Sequence, residues 1–225
     1  MRKIEAVVFD LDGIITDTAH YHYLAWKGLA EDLGIFFDEK FNENLKGISR
    51  MDSLEMILKE GNRQKDFTST DKAELAERKN SHYCELLKQL SPKDILPGIQ
   101  ELFTAIKAEG IPIGLASVSK NANTVLKALN LEGEFNYCAD AAKIANSKPD
   151  PEIFLTACEG LGANPSNSIG IEDAAAGVQA IKAAGMFAVG VGENLTEADY
   201  LLKATSELEW ELIKASFFNW KAVES

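Results

Sequence analysis

The sequence predicts an α/β protein built on a doubly wound parallel sheet, with an all-helical insert after the first strand. Three observations predict it. An apolar strand over residues 4–9 ends abruptly at Asp10-Leu11-Asp12-Gly13. Beyond residue 96, helical patterns alternate with short apolar runs, and short connections between such elements require parallel strands with helices on both faces. Between these parts, residues 17–92 carry helical periodicity and little strand pattern. The first strand must join the later sheet, so the core comprises residues 1–16 and 93–225, and the insert residues 17–92.

Taken in order, the strand over 4–9 leads through a turn into an amphipathic helix over 18–33. There His22, Trp26, Leu29 and Leu33 recur on one face, and Gly34 supplies the C-cap. Further helices are predicted over 41–45, 51–60 and 71–90. The core then reads as helix 99–109, strand 111–116, helix 122–130, short strand 137–139 and helix 151–161. Strand 168–171, helix 174–184 and strand 187–191 complete it, and no function is assigned beyond Asn194.

Composition narrows the function classes. The chain has 225 residues, 46% hydrophobic and 26% charged, the make-up of an ordinary soluble protein with a substantial core. A net charge of -12 repels nucleic acid and anionic membrane surfaces. A phosphorylated small molecule stays admissible if a cation and a few Lys or Arg build a local positive site. Cys84, Cys138 and Cys158 have neither zinc spacing nor a CxxC, which predicts free thiols in a reducing cytoplasm. No export signal is visible, and no apolar run approaches the ~18 residues of a membrane span. No exposed apolar stripe demands a partner, so a monomer is expected.

Polar residues at the strand ends mark the chemistry. In an extended chain residues i and i+2 project to the same side, so Asp10 and Asp12 leave the strand's carboxyl end together. Open α/β sheets bind ligands at that end. Unpaired buried carboxylates are costly, so the pair asks for a cation, for chemistry, or for both. Ser117-Val118-Ser119-Lys120-Asn121 follows the next core strand at a helix start. It reads either as a phosphate cradle or as N-capping by Ser119 or Asn121 with Lys120 in solvent. Ser147-Lys148-Pro149-Asp150-Pro151 places an extended Lys before a proline, then an Asp cap with Pro at the first helical position. Capping leaves Lys148 unexplained. Gly170-Ile171-Glu172-Asp173 ends a strand with two acids that cap the helix from Ala174, bind a metal, or do both.

The order of these signals is specific. Asp-x-Asp-Gly, then Ser, then Lys-Pro, then Glu-Asp resembles the haloacid dehalogenase superfamily, and the resemblance implies a Rossmann-like core with an inserted helical cap. It implies Asp10 as the nucleophile on phosphorus and Asp12 as general acid and base. Ser117, Lys148 and the main-chain N–H of Val118 would surround the transferring phosphoryl group. Mg²⁺ would sit on Asp10, the Asp12 main-chain carbonyl and Asp173, with Glu172 ligating or supporting.

The insert resembles, more narrowly, the cap of the β-phosphoglucomutase family. The likeness lies in Thr16-Asp17-Thr18-Ala19, Tyr21-His22, Ala25-Trp26, Leu45-Lys46-Gly47-Ile48-Ser49-Arg50, Asp52-Ser53 and Arg78-Lys79-Asn80. It implies interconversion of β-D-glucose 1-phosphate and D-glucose 6-phosphate through β-D-glucose 1,6-bisphosphate, with small sugar phosphates as partners and neither nucleic acid nor membrane. A distal anion site would comprise Arg50, Ser119, Lys120 and Asn121. Thr18 and His22 would position Asp12, while Trp26, Gly47, Ser53 and Lys79 would line the sugar side. Without the resemblance, Trp26 reads as core, Arg50 as a solvated cation, and Lys79 as part of an exposed charged run. Three other readings compete. A phosphatase of the same superfamily has no need of the distal set. A phosphonoacetaldehyde hydrolase uses a cap lysine and is not expected to keep an acid at position 12, and a non-catalytic sugar-phosphate-binding module needs no nucleophile.

Overall fold

Six parallel strands form the centre of the computed structural model, which describes residues 3–220. In chain order they are β1 (Ala6–Phe9), β2 (Ile113–Leu115), β3 (Tyr137–Cys138), β4 (Ser168–Glu172), β5 (Phe187–Val191) and β6 (Tyr200–Leu202). They lie side by side as β3-β2-β1-β4-β5-β6, every neighbouring pair parallel. Helices α1 (Ala19–Asp32), α2 (Glu39–Glu43), α3 (Arg50–Glu60) and α4 (Ser69–Leu87) all fall between β1 and β2. Then come α5 (Ile99–Ala108), α6 (Ala122–Ala128), α7 (Glu152–Leu161), α8 (Ala175–Ala183) and α9 (Trp210–Asn219).

β1 is apolar at every position because it lies mid-sheet with both faces covered, and all four of its residues are buried. Alternation divides its side chains. Val7 and Phe9 join the larger apolar cluster, with Phe103 of α5 and Phe217 of α9. Val8 joins the cluster on the other face, with Phe154 of α7 and Ile181 of α8. Phe9 is level with Leu115 of β2 and with Ile171 of β4. Asp10, Ser117 and Glu172-Asp173 therefore emerge along one edge of the sheet. The chain runs outward from β1 to β3, then crosses to β4 on the other side, which makes that edge a topological switch point.

Several boundaries differ from the sequence expectation for identifiable reasons. The helix expected from residue 71 begins at Ser69, because Thr68 is the N-cap and Asp71 its reciprocal partner in a capping box. Ser49 likewise accepts from the Asp52 N–H and starts α3 at Arg50, and Asp38 accepts from the Phe41 N–H and starts α2 at Glu39. The helix expected to reach residue 130 ends at Ala128, with Asn130 in the left-handed region at φ 57°. Neither Glu172 nor Asp173 caps α8. Its N-cap is Ala174, without a side-chain acceptor, so the capping reading of the two acids is corrected. Asp150 does accept from the Glu152 N–H at 3.0 Å, as expected, although Pro151 is the N-cap of α7; the Lys148–Pro149 peptide is cis. Two elements were not read from the sequence. β6 is a three-residue edge strand too short to show alternation, whereas α9 buries Trp210, Ile213 and Phe217 at helical spacing and was legible.

The insert contributes no strand to the sheet among the described residues. It has its own apolar cluster, including Trp26, Leu29, Ile35, Leu54, Ile57 and Leu75. Ala25, Tyr83 and Leu87 of α1 and α4 instead pack into the sheet's larger cluster, so the base of the insert is seated on the core. Where the chain leaves and re-enters the core, the crossings are tied: Thr16 bridges Ile95, and its hydroxyl donates to the Asp94 carbonyl at 2.8 Å. No helix among the described residues is long and apolar enough to cross a membrane.

Candidate active site

Asp10 continues β1 into the switch-point edge, held by its N–H donating to the Ile171 carbonyl at 3.0 Å. Lys148, whose side chain is wholly buried, donates to Asp10 Oδ1 at 2.6 Å and to Glu172 Oε2 at 3.1 Å. Burial alone would lower the lysine's pKa; Asp10 and Glu172 outweigh it and hold the group above the usual lysine range. Two glycines make room for the acids. A Cβ at Gly13, where φ is 83°, would lie 2.1 Å from Asp173 Oδ2, and one at Gly177 would lie 2.0 Å from the Glu172 carboxyl carbon.

Asp10, Glu172 and Asp173 bring ligand oxygens within 4.8 Å of one another. Such crowding has an electrostatic signature. Asp173 is pushed up to about 7 by burial and by Asp10, and Asp12 to about 8 by burial, Asp10 and Asp173. Glu172 is raised well above the carboxylate range by burial and Asp10, with Lys148 opposing. Glu172 Oε1 and Asp12 Oδ1 are buried without a hydrogen-bond partner. Four carboxylates thus crowd together, with Lys148 bonded to Asp10 and Glu172 and Lys46 of the insert 3.8 Å from Asp173. Hard oxygen donors, orphaned acceptors and excess negative charge fit a small divalent cation.

The segment after β2 turns back on itself. Ser117 Oγ accepts from the Ser119 N–H at 3.2 Å, and Ser119 Oγ accepts from the Asn121 N–H at 3.3 Å. Each hydroxyl acts as acceptor there, so its own proton stays available to an anion. Asn121 makes no side-chain cap to α6, Lys120 is exposed, and Val118 is half-buried. The capping reading is corrected, because α6 has Asn121 as its N-cap without a side-chain cap, and the N–H from which Ser119 accepts is that of Asn121, ahead of the helix.

The insert supplies the opposite wall. His22 Nδ1 lies 2.7 Å from Lys79 Nζ, and Lys79 lies 4.7 Å from the Trp26 ring centroid and 4.8 Å from that of Tyr83. Burial, then Lys79 and Arg50, drives the His22 pKa far down, so the ring is neutral. A charged Lys79 can only donate to Nδ1, which puts the ring proton on Nε2; that atom lies 3.9 Å from Asp12 Oδ2 and has no hydrogen-bond partner. Lys79 is corrected from an exposed run to a buried group with a pKa near 7, lowered by burial and by Arg50. Trp26 is buried in the insert's cluster and also faces the cleft.

A cleft of about 430 Å³ separates these walls, within the range of small-molecule sites. Asp10, Asp12, His22, Trp26, Gly47, Arg50, Ser53, Lys79, residues 117–121 and Asp173 all line it. Thr18, Lys148 and Glu172 do not. Thr18 is buried at the start of α1, where its carbonyl accepts from the His22 N–H, while Lys148 and Glu172 lie behind Asp10. Gly47, at φ 71°, stands against Lys148, where an added Cβ would meet the lysine's Cδ at 3.3 Å. Sequence reasoning assigned no role to Lys46, to Asn80, or to the contact in which Ser147 Oγ donates to Asp52 Oδ2 at 2.7 Å. Lys46 and Asn80 each adjoin a residue that was singled out; the Ser147–Asp52 contact spans 95 residues and has no local signal.

A family profile described as haloacid dehalogenase-like hydrolase matches residues 4–185. The chain is 48% identical to the β-phosphoglucomutase of Bacillus subtilis over 224 residues, covering 99% of each. It is 32% identical over 204 residues to a phosphorylated carbohydrates phosphatase of Thermotoga maritima, covering 89% of this chain and 91% of that one. The crystal structure of a β-phosphoglucomutase from Clostridium difficile superposes with a TM-score of 0.95 at 51% identity, covering 96% of this chain and 98% of that one.

Proposed function

The chain belongs to the haloacid dehalogenase-like hydrolase family, and from that premise we propose that it is a β-phosphoglucomutase. It interconverts β-D-glucose 1-phosphate and D-glucose 6-phosphate through the 1,6-bisphosphate. The observation that carries this reading is a cleft lined both by Asp10, Asp12, Asp173 and Ser117 and by Arg50, Ser119, Lys120 and Asn121, the second set offering cationic and polar groups to a second phosphoryl group. Residues 17–92 act as the cap over a core of residues 1–16 and 93–225, a division supported by the insert's separate apolar cluster and the tied crossings.

Asp10 attacks phosphorus through a carboxylate oxygen, forming the aspartyl P–O bond as the bond to the departing oxygen breaks. Asp12 gives that oxygen its proton and, once ionised, takes the proton of the sugar hydroxyl that next attacks the aspartyl phosphate. Lys148 orients Asp10 from behind and balances its charge. Ser117 and the N–H of Val118 hold the phosphoryl oxygens in place. Asp10, Asp173 and the Asp12 carbonyl, backed by Glu172, would hold Mg²⁺, which when bound supplies positive charge to the phosphoryl oxygens. His22 presents Nε2 to Asp12 at 3.9 Å, and Thr18 anchors the helix start that carries His22. Gly47, Ser53, Trp26 and Lys79 shape the sugar side, and the seated insert keeps water from the aspartyl phosphate. Three free cysteines among the described residues support a place in the reducing cytoplasm.

The deciding experiment incubates the protein with Mg²⁺, a trace of glucose 1,6-bisphosphate and β-glucose 1-phosphate. Stoichiometric glucose 6-phosphate without matching inorganic phosphate is expected. Release of phosphate in place of glucose 6-phosphate would establish the phosphatase reading, which the 32% identity to a carbohydrate phosphatase keeps as the runner-up.

A further inference from the structure

Asn80 lies on α4, one residue beyond Lys79, and lines the cleft. Its side-chain oxygen accepts from Arg50 Nη2 at 2.8 Å and from Asn121 Nδ2 at 2.7 Å, with a longer contact from Cys84 Sγ at 3.9 Å. Arg50 has only donors, so the amide must turn its oxygen toward the guanidinium. The amide nitrogen then points away, donating to Glu77 Oε1 at 3.3 Å. The two donors have different origins. Arg50 opens α3 of the insert, whereas Asn121 precedes α6 beside the sheet. One carbonyl oxygen therefore gathers a guanidinium and a carboxamide from opposite sides of the cleft.

We propose that Asn80 is a positioning residue of the distal anion site, holding Arg50 and Asn121 in register so that together they recognise a second phosphoryl group. The proposal rests on the reading of the cleft as a site for two phosphoryl groups. A neutral acceptor suits the task, because it orients the guanidinium without neutralising it. The nearby acid, Glu77, stands 3.6 Å from Arg50 Nη1 and is 66% exposed, so its charge is screened by solvent. Asn80 uses one donor on Nη2 and Glu77 faces Nη1 at 3.6 Å, which leaves further N–H groups of the guanidinium to form a fork on a phosphate. The bond to Asn121 spans 41 residues and forms only when insert and sheet are seated together, so Asn80 also links distal-anion recognition to closure.

The test compares two substrates in steady-state kinetics: glucose 1,6-bisphosphate, and an aryl phosphate that has no second phosphoryl group. Loss of a charge-assisted hydrogen bond predicts that Asn80→Ala raises KM for the bisphosphate about tenfold. The ratio of kcat/KM between the two substrates should fall by a similar factor. Asn80→Asp keeps the shape and the accepting oxygen but replaces the amide donor and sets a negative charge beside the anion; it should raise the same KM at least as much. A purely structural asparagine predicts equal losses on both substrates for Asn80→Ala and wild-type constants for Asn80→Asp, and either result overturns the proposal. Should Asn80→Ala fail to fold, the isosteric Asn80→Asp decides alone. If the wild-type protein releases phosphate from β-glucose 1-phosphate and converts none of it to glucose 6-phosphate, the mutase reading falls, while the ratio between the two substrates still judges Asn80.

Discussion

Lys79 shows how far a single residue can depart from its local sequence. Glu77 and Arg78 beside it are exposed, yet Lys79 is 3% exposed, set between two aromatic rings and bonded to His22. Its pKa falls from 10.5 to about 7, chiefly through burial and then through Arg50. Between those values the unfolded chain binds more protons than the folded one, so this lysine makes stability rise with pH from about 7 toward 10.5. Below 7 it is charged in both states, and the full cost of burying the ammonium is present. The limiting slope is about 1.4 kcal/mol per pH unit. Urea unfolding at pH 7.5 and 9.0 should show wild type gaining on Lys79→Met as pH rises; a constant difference would mean the lysine does not titrate in that window. His22, by contrast, was singled out through the resemblance of Tyr21-His22 to the family's cap, but its protonation and tautomer depend on a lysine 57 residues away.

At the scale of elements, glycines decide how closely a helix or turn approaches the acids. Gly177 in α8 sits where any Cβ would strike the Glu172 carboxyl group, whereas the nearest neighbour of a Cβ at Gly28 in α1 is His82 at 3.4 Å, an ordinary contact. A Gly→Ala change inside a helix ordinarily stabilises by about 1 kcal/mol. Gly28→Ala should follow that rule, while Gly177→Ala should lose about 1–3 kcal/mol by overpacking and drive Glu172 off Lys148. Chemical denaturation of the pair gives the comparison; equal effects would show that α8 shifts freely. The elements themselves were mostly readable, since β1 as an all-apolar run and α5 by its periodic face emerge from local patterns. The helix starts at Arg50 and Ser69 were misplaced because the first residue after a cap contributes nothing to the apolar pattern, and the capping side chains of Ser49 and Thr68 set the boundary instead.

For the whole molecule, the sheet brings Asp10, Glu172 and Asp173 together at its edge, and the insert closes over them with His22, Lys46, Arg50 and Lys79. A site that concentrates four carboxylates beside Lys148 should gain stability from a divalent cation bound among them. Mg²⁺ at a hundredfold excess over its dissociation constant should stabilise the fold by about 2.7 kcal/mol, seen as a raised Tm. Asp173→Asn should remove most of that rise. An equal rise in the variant would place the ion elsewhere.

The chain's own spacing determined the parallel sheet, the position of the helical insert, and the set of acids, hydroxyls and lysines at the strand ends. These are local properties: periodicity, turn chemistry, and carboxylates two residues apart on an extended strand. Tertiary structure alone decided which of those groups meet. Lys148 reaches Asp10 across 138 residues, Ser147 reaches Asp52 across 95, and Asn80 reaches Asn121 across 41. Such pairs form when packing of the apolar faces seats the insert on the sheet, and burial then sets the charge states of Lys79, His22 and Glu172. A sequence names the ionisable groups, but their free energies of ionisation depend on how much water and which charges the fold leaves beside them.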